Sequence, residues 1–228
     1  MCLLAAGVVF AADVWDQESK AWDKKDVDKI LNNSPWAKRV ATKVERTKDD
    51  AKANATQSSV NQYDRGDLKE GDFAVIWWWS AHTPRRAYLR FYELAGNSVT
   101  PEQTENFSES KMPSHSISMM GGGTQTDLAG RMPEEALKKS VWLISARLKK
   151  ALEPAEVEVV KLPNGKIDRI LFHFAQQVDG QPLITNEDKK ITFRWKLPKN
   201  PKQKPEEFEA FEAAFEPKRM QARGANDY

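Results

Sequence analysis

Residues 156–174 read EVEVVKLPNGKIDRILFHF. Two runs, 156–162 and 166–174, alternate apolar with polar side chains, and Pro163-Asn164-Gly165 lies between them. A period of two marks a half-buried strand, and Asn-Gly supplies the positive φ that a tight reversal needs. The stretch predicts an antiparallel hairpin. Residues 73–79, FAVIWWW, are apolar on both alternating faces. That is the pattern of a central strand covered on both sides. Residues 114–120 alternate and then meet three glycines, and 191–197 set Ile191, Phe193 and Trp195 on one face. Both read as strands.

Helical signals fall between these runs. Trp22, Val27, Ile30 and Leu31 sit mostly three or four residues apart, with Asp26 as a capping residue and Asn32-Asn33 as the stop. Thr83-Pro84 reads as a cap followed by proline in the first turn, and Gly96 closes the helix it opens. Residues 132–152 hold helix formers at both ends, which read as helical, around an apolar run, 141–144, of undecided type. Phe208, Phe211 and Phe215 have helical spacing, with a strand as the alternative. Val40, Thr42 and Val44 suggest a further half-buried strand. Residues 46–71 are polar and read as a long exposed loop. Interspersed strands and helices around a tight hairpin predict an α+β fold, with a mostly antiparallel sheet and a few packed helices.

The chain has 228 residues, enough for one sizeable domain, assigned to 13–228. Residues 1–12 carry no charge, and the apolar run from Leu3 is too short to span a bilayer. It reads as the core of a signal peptide, with Val9 and Ala11 at the −3 and −1 places of a cleavage site. The positive start of a usual leader is missing. Cys2 is the single cysteine, so a cleaved chain would hold none. Export without disulfides suits a bacterial periplasmic or extracellular protein better than a small eukaryotic secreted domain. A net charge of +2 gives no electrostatic footprint for nucleic acid, and 30% charged residues with a mean hydropathy of −0.67 argue against an integral membrane protein.

No catalytic signature is present: neither G-x-S-x-G, nor H-E-x-x-H, nor a phosphate-cradling glycine loop. Three weaker constellations remain. His82, Arg85 and Arg86 surround a helix start, where free amides and guanidinium groups suit an anion or carboxylate; the plainer reading pairs the arginines with surface acids. Met112, His115, Met119 and Met120 offer thioether and imidazole ligands of the kind Cu(I) accepts; the plainer reading is methionine packing beside a glycine loop. Trp77, Trp78 and Trp79 could stack on a flat ligand such as a sugar, but alternate strand positions cannot form one platform, and core packing is the plainer reading.

Residues 22–37 (WDKKDVDKILNNSPWA), 80–91 (SAHTPRRAYLRF), 157–174 and 215–220 (FEPKRM) together resemble a group of uncharacterised exported bacterial proteins. The resemblance covers about a third of the chain. It implies export and carries no activity, ligand or catalytic residue. The functional expectation is an interaction or structural module of the cell envelope, whose partner is a protein or another envelope component. The alternatives are a small-ligand or copper binder, and an enzyme of unrecognised type such as a hydrolase.

Overall fold

The computed structural model describes residues 13–42, 73–121 and 124–228. The leader assigned to 1–12, the loop assigned to 46–71 and Val44 lie outside the described residues.

The helices are α1 (Lys24–Asn32), α2 (His82–Leu94), α3 (Pro101–Thr104), α4 (Thr124–Ala129) and α5 (Glu134–Lys138). The strands are β1 (Ala37–Ala41), β2 (Phe73–Trp78), β3 (His115–Gly121), β4 (Val141–Ser145), β5 (Lys150–Leu152), β6 (Glu156–Lys161), β7 (Ile167–Phe174), β8 (Gln177–Val178), β9 (Gln181–Pro182), β10 (Ile191–Lys196), β11 (Ala210–Phe215), β12 (Gln221–Ala222) and β13 (Ala225–Asn226). The principal sheet runs β1-β2-β3-β7-β6 and a second runs β11-β10-β4-β5; every pairing is antiparallel. The fold is α+β, as the alternating runs imply. Among the described residues, no helix is long and apolar enough to cross a membrane.

The hairpin forms where Asn-Gly requires it. Gly165 has φ +79° and donates its amide to Leu162 O at 2.8 Å, and Asn164 Oδ1 accepts the Lys166 amide at 3.0 Å. β2 is central, with apolar side chains on both faces. Ala74, Ile76 and Trp78 join Phe172, Phe174, Phe193 and Phe215 between the two sheets. Trp77 and Trp79 point the other way, into a second cluster with Val27, Ile30 and Leu31 of α1 and Ala87 of α2. The principal sheet is therefore a middle layer, with α1 and α2 on one face and the second sheet on the other, where Ala129 of α4 and Leu137 of α5 join the same core.

Several local expectations are revised. The cap of α1 is Asp23, whose side chain accepts the amides of Lys25 and Asp26; Asp26 completes a capping box by returning to the Asp23 amide. Residues 141–145 and 150–152 are strands. The first lies between β10 and β5, and tertiary pairing decides its ambiguous apolar run. Residues 210–215 are likewise a strand: Phe211 stacks on Trp195 at 5.7 Å and Phe215 meets Trp78 edge-on at 5.2 Å. Two of the three phenylalanines also fit a period of two, and pairing with β10 selects that period.

Candidate functional site

At the start of α2 the structure assembles His82, Arg85 and Arg86 with residues remote in sequence. The residue preceding the helix is Ala81, so Thr83 sits inside the first turn and its hydroxyl caps nothing. The amides of His82 and Thr83 instead reach the Asp227 carboxylate at 2.6 and 2.9 Å. The positive end of the helix dipole thus meets an anion belonging to the protein itself. Asp227 is buried, and its carbonyl accepts the Trp36 indole N–H at 2.5 Å.

Arg85 is also buried and gives its donors to backbone carbonyls: Phe107 at 2.6 Å, Ser110 at 2.8 Å and Ala81 at 3.1 Å. Burial lowers its pKa, opposed by the charges of Asp227 and Glu109. Arg86 forms a two-point ion pair with Glu109, and Ser108 Oγ bonds the same carboxylate at 3.0 Å. His82 Nδ1 lies 2.7 Å from Ser108 O. These groups brace the segment 105–110, whose Glu105–Glu109 stretch is π-helical, against α2.

The methionine–histidine segment is spread over two layers. His115 and Met119 share a face of β3, but four residues of strand separate their Cα atoms by about 13 Å. Met119 is fully buried between the sheets, whereas Met120 and Met112 pack with the helix-side cluster. His115 packs edge-on to Trp78 at 5.8 Å, and burial pushes its pKa down from 6.5 to about 4. Among the described residues, no group of three or more His, Cys, Asp or Glu side chains is placed to hold a metal ion.

A serine–histidine pair not evident in the sequence appears across β3 and β7. His173 Nδ1 lies 2.8 Å from Ser116 Oγ and 3.3 Å from Ser114 Oγ, and its Nε2 lies 3.9 Å from Glu158. The order of groups resembles a nucleophile, a base and an orienting acid. Ser116 is fully buried, however, so an acyl carbon cannot approach its hydroxyl. The contact satisfies two polar groups within the sheet.

A broad concavity lies beyond the middle of α2. Tyr88, Leu89 and Tyr92 from the helix and Val99 and Phe107 from the following segment line a groove of about 840 Å³. Asn97, Gln103 and Asn106 add amides, and Ser98 and Thr100 add hydroxyls. Its aromatic residues are held from behind. Trp77 stacks on Trp79 at 5.6 Å and 15°, and Trp79 meets both Tyr88 and Phe107 edge-on at 5.6 Å. Tyr88 continues to Tyr92 at 5.5 Å. The Arg169 guanidinium lies over Trp79 and Tyr88 and donates to the Tyr88 hydroxyl at 2.6 Å. Trp77 and Trp79 thus support an aromatic surface rather than form it.

The groove wall is equally fixed. Thr100 Oγ1 accepts the Gln103 amide at 3.1 Å and Gln103 Oε1 accepts the Thr100 amide at 2.8 Å, with Pro101 opening α3. Arg85 holds Phe107 by its carbonyl. The brace around His82 therefore positions the groove. By composition residues 97–111 are a polar connection. The local signal within them is Thr100-Pro101-Glu102-Gln103, a capping box with proline at the first helical position. Comparison with protein-family models, curated proteins and solved structures returned no match.

Proposed function

We propose that the protein is an exported binding module of the cell envelope that holds its partner in the groove between α2 and residues 97–107. One observation carries the reading: a concavity of about 840 Å³ lined by Tyr88, Tyr92 and Phe107 and braced by side chains beneath it. Rigid rings bind at little cost in conformational entropy, and open apolar concavities with a few polar groups are where ligands settle. Phe91 and Leu94, 50% and 42% exposed, extend the apolar surface on α2 beyond the groove. The uncharged apolar stretch 1–12 supports export.

The test is co-sedimentation of the full chain with isolated bacterial envelopes, comparing wild type with Tyr92→Ala. Retention that falls several-fold in the variant supports the reading. Equal retention of both proteins, or retention of neither, sinks it.

A further inference from the structure

We propose that the occupant of this groove is a neutral oligosaccharide, bound by stacking of sugar rings on Tyr92 and Phe107 and by hydrogen bonds to Asn106 and Gln103. The inference rests on the groove being the binding site and names the class of ligand it takes.

Charge narrows the class first. Of the residues lining the groove, Glu102 alone is charged, and no lysine or arginine is among them. An anionic ligand would find no partner there and one repulsive carboxylate. The neighbouring cations are committed elsewhere: Arg85 to carbonyls, Arg86 to Glu109, and Arg90 to Glu93 and Trp22 O. A neutral ligand fits this balance.

Hydrogen-bonding capacity narrows it further. The Asn106 side-chain amide and the Gln103 Nε2 group make no hydrogen bond to another described residue, and both side chains are exposed. An amide that offers both N–H and C=O matches a hydroxyl, which donates and accepts at once. Sugar hydroxyls come in adjacent pairs around a ring whose other surface is a sheet of C–H groups. That C–H surface is the natural partner of an aromatic face, and Tyr92 is 44% exposed. The rings of Tyr88 and Tyr92 are tilted by 48° and those of Tyr88 and Phe107 by 32°, so the aromatic faces follow a curved path rather than one flat plate. A linked chain of sugar rings can follow such a path, whereas a single fused planar ligand cannot. A proline-rich peptide also seeks aromatic grooves. Its tertiary amides offer acceptors only, and the carbonyl oxygen of Asn106 would then lose its hydration without a partner.

The test titrates the full chain with three probes: a β-1,4-linked glucose hexamer, its N-acetylglucosamine counterpart, and a neutral proline-rich decapeptide. Binding is read by calorimetry and by backbone NMR shifts. At least one hexasaccharide is expected to bind. Tyr92→Ala should weaken it about tenfold, equivalent to ~1.4 kcal/mol. Asn106→Ala should weaken it about three-fold or more. Leu162→Ala, exposed at the turn of the β6–β7 hairpin and outside the groove lining, should leave it unchanged. If the peptide alone binds and Tyr92→Ala abolishes that binding, the saccharide inference is overturned while the groove remains the site. If hexasaccharides bind with equal affinity to wild type and Tyr92→Ala, both fail.

Discussion

The carboxylate of Asp227 accepts the backbone amide of His82 at 2.6 Å across 145 residues of sequence. The same group takes the Thr83 amide, so a distant residue does the work that Ser, Thr, Asn or Asp normally does from the residue before a helix. Ala81 occupies that place, and its methyl group cannot accept a hydrogen bond. Replacing Asp227 by alanine leaves two amides and a positive helix end without their anion. The expected loss is about 1–2 kcal/mol of unfolding free energy, with Asp227→Asn recovering part of it. Urea unfolding measures both; an unchanged midpoint in Asp227→Ala would remove this cap from the account.

Glu109 gives the brace a dependence on acid. Its hydrogen bond from Arg86, reinforced by the charge of Arg86 and by Ser108, holds its pKa near 2 instead of 4.5. Below 4.5 the unfolded chain takes up a proton that the folded chain refuses, so this contribution is complete above that pH and is lost as pH falls toward 2. Unfolding free energy measured from pH 5 to pH 2 should fall more steeply for wild type than for Glu109→Gln. Parallel curves would show that the pair does not stabilise the fold.

His115 acts at milder pH. Burial depresses its pKa from 6.5 to about 4, so the folded state keeps it neutral where the unfolded state protonates it. Stability from this group is therefore full above pH 6.5 and declines as pH drops toward 4. An NMR titration should show the His115 imidazole neutral at pH 5. His115→Phe should flatten the stability profile between pH 6.5 and 4, and a midpoint near 6.5 for His115 would contradict its burial beside Trp78.

Met119 and Met120 should behave as unlike neighbours. Met119 is fully enclosed between the sheets, and truncation to alanine should cost about 2–5 kcal/mol. Met120 is half-buried on the opposite face, so Met120→Ala should cost clearly less. Cu(I), added under reducing conditions, should leave the melting temperature of wild type unchanged. A copper-dependent rise that Met119→Ala abolishes would restore the metal reading.

The fold was legible where periodicity and turn chemistry agree. The hairpin at Asn164-Gly165, the two-faced strand β2 and the one-faced strand β10 all follow from alternation, because one face of a sheet must be buried. Phe208, Phe211 and Phe215 were not decidable, since residues 211 and 215 fit both periods and only pairing with β10 chooses. The site was less legible for a different reason. His82, Arg85 and Arg86 drew notice through their place at a helix start, but their partners Asp227, Phe107 and Glu109 lie 22 or more residues away. The groove itself arises from α2 meeting residues 97–107, a tertiary event with no single motif behind it. Alternation divides the tryptophan run between two faces; that one face supports Tyr88 and Phe107 becomes visible only once α2 is folded onto the sheet.

The groove is the centre of the account, and backbone NMR of the full chain during titration with the β-1,4-linked hexasaccharides tests it most directly. Shift changes concentrated at Tyr88, Tyr92, Asn97, Gln103, Asn106 and Phe107, and absent from the second sheet, are the expected result. Shift changes centred on the second sheet would contradict the groove as the site, and no change anywhere at millimolar ligand would contradict the saccharide as its occupant.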